Sequence, residues 1–241
     1  MLTRRELLKL VPVLALLLGA SGCRLKPAKT ATASEEPSIV KLPQPKYDSQ
    51  FSLEKAVLKR RSIRSYAGKA LALDDISQLL WAAQGITYAS SLRTAPSAGA
   101  TYPLQIYLVA GSVTDLSPGI YKYDNQAHAL TLLANGDQRE ELAEAALGQS
   151  WVVESAMSIV ITAVYERTTR RYGERGERYV HMEAGHVSQN IYLQAAALGL
   201  GTVAVGAFDD ASVIRLLRLL PSEEPLYIMP VGKLTQENQI E

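Results

Sequence analysis

From Arg178 to Leu198 the chain runs without a proline through a segment rich in alanine and other apolar residues, and Gly199 and Gly201 end it. This pattern predicts one long helix buried on most sides, inside a domain or at a subunit interface. Helix and strand signals alternate around it. Ser52 can cap a helix carrying Leu53, Ala56 and Val57, and Asp74 or Asp75 can open another with Ile76, Leu79, Leu80 and Ala83 on one face. Gln105–Ala110 and Ser158–Val164 read as buried strands, and Ile120–Tyr123 pairs with Ala129–Leu133 around the turn at Asp124-Asn125. Further helices are expected over Gln138–Leu147 and Ala211–Leu220, with strands over Val203–Phe208 and Tyr227–Val231. The expected fold class is α+β, in one domain spanning 51–241.

The amino terminus has a different character. Arg4, Arg5 and Lys9 precede an apolar run over Leu10–Ala20, which is too short for a bilayer span of about 20 residues. A charged start, a short apolar stretch and small residues describe an export signal over 1–22. The Ala20-Ser21-Gly22-Cys23 ending resembles a lipobox, making Cys23 the expected acylation site. Thr3-Arg4-Arg5-Glu6-Leu7-Leu8-Lys9 resembles a twin-arginine signal, a route that carries folded proteins. Residues 23–50, rich in Pro, Ala, Thr, Ser and Lys, read as a tether whose end, Ile39–Pro43, can pack on the domain as a strap. The expected location is the cell envelope, with the domain facing the periplasm or extracytoplasmic space.

Composition narrows the chemistry. A formal net charge of +1 with no basic tract argues against nucleic acid as a partner. One cysteine and three histidines leave no material for a disulfide, thiol-rich or histidine-rich metal site, so no metal is expected. Glu183-x-x-His186 has the spacing of half a di-iron site, but no second copy accompanies it. Phosphate-loop, nucleophile-elbow and Gly-x-Gly-x-x-Gly patterns are absent from the sequence.

Four segments can carry chemistry. Arg60, Arg61, Ser62 and Arg64 at a helix end can grip a phosphate or an electron-rich ring, or can simply complement the helix dipole. Arg93–Pro103 contains Pro96-Ser97-Ala98-Gly99, where small residues let backbone approach a planar ligand, or make an ordinary turn. Tyr172–Gly176 leads into the long helix. Gly201–Asp210 is a strand end bracketed by glycines.

In this order the segments resemble the nitroreductase-like flavoenzymes, and among them the SagB/ThcOx-type azoline-oxidase branch. The resemblance rests on RRSIRSY (60–66), QLLWAAQGI (78–86), RTAPSAGATYPLQIYLV (93–109), GIYKYD (119–124), RYGERGERYVHMEAGHVSQNIYLQAAALGLG (171–201), VGAFDD (205–210) and MPVGK (229–233). It implies a central mixed sheet flanked by helices, and a homodimer with the long buried helix at its interface and FMN bound there. Arg60, Arg61, Ser62 and Arg64 match the segment holding the FMN phosphate and the pyrimidine edge of the ring. Pro96, Ser97, Ala98 and Gly99 match a loop that reaches the flavin from the partner subunit. Val205, Gly206 and Ala207 match the strand end beside N5, Gln149 falls near the ring's C4 carbonyl and N3, and Lys233 adds to the phosphate grip. Two departures stand out. Only Lys233 follows the Pro-Val-Gly strand, and Arg171-Tyr172 replaces the branch's Lys-Tyr pair. Arginine is a poor base, which leaves Tyr172 and Tyr179 as the candidate proton-transfer groups.

The resemblance thus implies an FMN-dependent oxidoreductase acting on a small molecule or peptide by ping-pong hydride transfer. The alternatives are a nitro or quinone reductase and a non-catalytic flavin- or ligand-binding lipoprotein.

Overall fold

The computed structural model describes residues 38–87 and 92–239. The export signal over 1–22, the acylation site Cys23 and the first part of the tether lie outside the described residues. No helix among those described is long and apolar enough to cross a membrane.

Apolar runs that alternate between two faces build the sheet. In β2 (Leu104–Ala110), Leu104, Ile106, Leu108 and Ala110 join one core, while Tyr107 and Val109 join a second core on the other face. In β5 (Met157–Ala163), Met157, Ile159, Ile161 and Ala163 point to the first core and Val160 to the second. Successive strand side chains face opposite ways, so a strand covered on both faces reads as one unbroken apolar run. Among the described residues, seven strands form one sheet. In spatial order they are β1 (Ile39–Lys41), β4 (Ala129–Asn135), β3 (Gly119–Asp124), β2, β5, β7 (Glu224–Lys233) and β6 (Leu200–Thr202).

All the ladders are antiparallel. The mixed character expected of the sheet is confined to single parallel bridges, Ser62–Thr202 and Leu71–Val113. The continuous apolar runs reflect helices on both faces rather than parallel pairing.

Helices α2 (Leu73–Gln84) and α6 (Arg175–Ala197) pack together on the first core, α1 (Leu53–Lys59) packs against α6, and α5 (Glu166–Tyr172) leads into α6. On the second core, α3 (Arg139–Ala145) packs with α4 (Ser150–Glu154) and α7 (Asp210–Leu217). A short α8 (Gln236–Gln239) follows β7. Three helices were not expected from periodicity: α4 and α8, of five and four residues, are too short to show a helical repeat, and α5 is a polar stretch without an apolar stripe.

The long helix has two unlike faces. Gly176, Val180, Glu183, Ala184, Val187, Ser188, Ile191 and Ala195 are buried along one stripe, while Met182, His186 and Gln189 on another face are exposed. Within one chain α6 is therefore packed on one side rather than on most.

Two local findings position the site. First, the strand expected over Val203–Phe208 is interrupted. Its register with β7 runs through Leu200–Lys233 and Thr202–Val231 and reappears at the Val205–Ile228 bridge. Two pairs are lost between them, Val203–Pro230 and Ala204–Met229, and Pro230 has no N–H to donate. Second, the distal end of the expected tether enters the sheet as edge strand β1, and the chain beyond it is pinned to α2. Ser77 donates to the Pro43 carbonyl, and Gln78 bonds both the amide and the carbonyl of Lys46.

Candidate functional site

Ser52 opens α1 by accepting from the Lys55 amide at 3.2 Å, and the helix ends at Lys59. Arg60 turns the chain into an extended conformation, after which Ile63 N donates to Thr202 O at 2.9 Å. The arginine-rich segment is thereby laid beside β6. A cavity of about 340 Å³ opens there, with Lys55, Lys59, Arg60, Arg61, Tyr192 and Thr202 among its walls. Thr202 is only 2 % exposed, and its Oγ1 is buried without a hydrogen-bond partner. Four cationic side chains in the wall of one cavity describe a pocket suited to a polyanionic group such as a phosphate. Arg61 has a second role, because its Nη1 donates to the Leu58 and Arg60 carbonyls at the end of α1.

Tyr192 on α6 organises this pocket. Its hydroxyl accepts from the Ala204 amide at 2.8 Å and bonds the Ser62 hydroxyl at 3.0 Å, and its ring lies under the Arg60 guanidinium at 5.3 Å. The Arg60–Ser62 segment and the broken strand end are thus tied to one side chain. Sequence reading passed over Tyr192, since a tyrosine in a long apolar helix looks like core. Lys59 opens the basic motif at the end of α1, but Lys55 was missed, although its i,i+4 spacing from Lys59 places the two on one helix face.

The other expected residues fall into groups. Gln149 caps the start of α4, and its Nε2 donates to Ala146 O and Ala207 O at 2.7 and 2.8 Å. Both amide hydrogens are therefore committed to the chain, and only Oε1 remains to receive a donor from a ligand. Arg64 lies outside the cavity wall, with its guanidinium 5.7 Å from the Trp151 ring centroid. Val205 is buried in its bridge to Ile228, whereas Gly206 and Ala207 are exposed. Lys233 departs from its expected role. It does not line the cavity, and its Nζ pairs with Asp75 at 2.9 Å. Asp75 sits in the first turn of α2, where a carboxylate is favoured, and it captures the lysine that follows the Pro-Val-Gly strand. The cavity instead draws its extra cations from α1.

Pro96, Ser97, Ala98 and Gly99 lie elsewhere, against α5 and the first half of α6. Tyr172 and Tyr179 meet edge to face there, with centroids 5.2 Å apart, and a Cβ on Gly99 would come 2.5 Å from Tyr172 Oη. Beneath the turn, Glu183 is 2 % exposed. Burial pushes its carboxyl up to about 7, against the opposing influence of Ser97, Arg93 and Gln84. Arg93, itself held below its ordinary value by burial, donates to Gln84 Oε1 at 2.7 Å and stacks on Tyr102. Tyr192 and Ala196 reach the basic cavity nine to thirteen residues further along α6 than Glu183, which is roughly 13–20 Å of helix. One chain therefore does not bring Pro96–Gly99 or the two tyrosines to its own Arg60 pocket.

Residues 57–233 match the nitroreductase family. A nitroreductase-family protein of Methanocaldococcus jannaschii is 47 % identical over 76 % of this chain and 92 % of its own length. The trifolitoxin-processing protein TfxB of Rhizobium leguminosarum bv. trifolii is 28 % identical over 81 % of this chain, which spans 55 % of that protein. Among solved structures, a nitroreductase-family protein from Anabaena variabilis superposes with a TM-score of 0.72 at 29 % identity, covering 83 % of this chain and 42 % of that one. The NADPH:FMN oxidoreductase of Vibrio harveyi shares the fold, with a TM-score of 0.56 at 22 % identity over 76 % of this chain and 69 % of that one.

The fold and the match define an oxidoreductase of the nitroreductase superfamily, whose members typically bind flavin. This chain belongs to the nitroreductase family, and it is also similar to the trifolitoxin operon protein TfxC and the trifolitoxin-processing protein TfxB, of each of which it spans about half the length.

Proposed function

We propose that the protein is an FMN-dependent oxidoreductase that works as a homodimer. The observation that carries this reading is the cavity whose walls include Lys55, Lys59, Arg60 and Arg61 together with Thr202, whose buried hydroxyl has no partner. Its residues fit the phosphate end of FMN: the cations neutralise the dianion, and Thr202 Oγ1 can donate to a phosphate oxygen. Gln149 Oε1 can accept from a ring N–H, and the exposed Gly206-Ala207 backbone lets a flat ring approach without a large side chain in the way.

Bound there, FMN would supply two-electron hydride transfer, reduced by one substrate and reoxidised by a second. The separation of the Pro96–Gly99 turn from the basic cavity favours a site completed by a second copy. The exposed α6 face of Met182, His186 and Gln189 gives such a copy a place to pack.

Purified full-length protein reconstituted with FMN should show flavin absorption bands, sediment as a dimer, and bind FMN at least about a hundredfold more tightly than riboflavin, which lacks the phosphate. Equal affinity for the two would refute the phosphate assignment.

We further propose that Cys23 carries a lipid anchor after export, so that the enzyme works on the extracytoplasmic side of a membrane. NAD(P)H is scarce there, and the electrons would come from a small-molecule or peptide substrate, or be exchanged with a quinone or a protein. Cys23→Ser should shift the protein from the membrane to the soluble fraction of cells. A variant still fully membrane-bound would rule out that anchor.

A further inference from the structure

The turn from Ser97 to Tyr102 has a backbone that needs holding. Gly99, Ala100 and Tyr102 all have positive φ, at 59°, 54° and 46°. Two of the three carry a Cβ, which the left-handed region disfavours, so such residues persist only where the surroundings over-determine them.

The surroundings come chiefly from α5. Arg171 Nη1 donates to Gly99 O at 3.1 Å, and Arg167 Nη1 donates to Tyr102 O at 3.1 Å. Between them the buried Thr168 hydroxyl bonds the Thr101 hydroxyl at 2.7 Å, and Thr101 Oγ1 donates to Ala98 O. From inside the turn, Tyr102 N donates to Ser97 Oγ at 2.9 Å. The approach at the tip is close, since a Cβ on Gly99 would lie 2.8 Å from Arg171 Nη1. Helix α5 is itself seated on α6 through Gly176, where a Cβ would come 2.8 Å from the Thr169 Cα.

The geometry points to Arg171 as a positioning residue: with Arg167 it clamps the left-handed Ser97–Tyr102 turn by binding its Gly99 and Tyr102 carbonyls. The guanidinium is committed to a backbone carbonyl and lies near the Tyr172 ring, 5.5 Å from its centroid. The α5–α6 corner thereby sets the shape of the turn. This inference rests on the proposed reading only in that the turn meets FMN held by the second copy. A loosened turn would then weaken FMN binding and alter the flavin's surroundings, without any change at Arg60.

The test uses the full chain, with and without FMN, as wild type, Arg171→Ala and Arg171→Lys. Amide hydrogen exchange over 98–102 should quicken about tenfold in Arg171→Ala, the loss of one charged hydrogen bond. Arg171→Lys should recover much of that protection, because an ammonium can donate to the same carbonyl. The Kd for FMN should rise several-fold in Arg171→Ala, and the visible circular dichroism of the bound flavin should change, again with rescue by lysine. Arg167→Ala should reproduce the exchange effect at Tyr102. Unchanged exchange over 98–102 would overturn the clamp, whether or not the protein binds FMN. Faster exchange with unaltered Kd and flavin dichroism would overturn the positioning role. Failure to bind FMN in any variant, wild type included, would sink the proposed function while the exchange result still decided the clamp.

Discussion

Replacing both Arg60 and Arg61 with alanine should weaken FMN binding on the order of a hundredfold while leaving the thermal unfolding midpoint nearly unchanged. Arg60 and Arg61 line the cavity together with Thr202. A charge-assisted hydrogen bond to a phosphate is worth about 1.5–3 kcal/mol. Both arginines are at least partly exposed, so solvent screening lowers the combined figure to about 3 kcal/mol, which corresponds to the stated loss. Little stability should go with it, because Arg60 makes only an exposed stacking contact with Tyr192 and Arg61 caps a short helix. The loss should also shrink as salt is added, since screening already weakens a surface-facing grip. Titration of FMN fluorescence at two ionic strengths reads both quantities. Retention of wild-type affinity would place the phosphate elsewhere.

Glu183→Gln should flatten the pH dependence of stability. The carboxyl is pushed up to about 7 in the folded chain by burial, from an ordinary 4.5. The folded state therefore binds the proton more tightly than the unfolded one. Stability from this group is fully present below about pH 4.5, declines as the pH rises toward 7, and stays lost above it. At about 1.4 kcal/mol per unit, the wild type should lose up to about 3 kcal/mol across that window. Glutamine keeps the shape but has no proton to lose, so the difference in unfolding free energy between variant and wild type should grow in the variant's favour from pH 5 to pH 8. Urea melts at the two values measure it, and a constant difference would contradict a carboxyl held neutral. The same melts report on the turn above, because Glu183 interacts with Ser97 and Arg93.

Much of the fold was legible from local patterns. The apolar strands β2 and β5, the hairpin of β3 and β4 around Asp124-Asn125, and helices α2 and α7 lie close to where periodicity and turn residues place them. These signals are local, set by which side chains face the core on a period of two or 3.6. The antiparallel direction of the sheet was not legible, because an apolar run covered on both faces looks alike in either direction. Nor was the break in the strand after Thr202, which depends on Pro230 meeting Val203 across the register of β7 and β6.

The candidate site divides along the same line. Arg60, Arg61 and Ser62 announce themselves by spacing, and the order of the motifs was enough to point to the family. Partner choice is a matter of three-dimensional proximity, and spacing does not encode it. Lys233 ends on Asp75, Gln149 spends its amide hydrogens on Ala146 and Ala207, and Arg171 closes on Gly99. Tyr192 becomes the hub of the pocket only because α6 carries it under Arg60 and beside Ala204. Which residue types are present, and on which face of which element, follows from the chain's own periodicity. Which charge is already neutralised, which hydroxyl is left unused, and which loop lies too far along a helix to serve its own pocket follow from packing, because each depends on distances between segments remote in sequence.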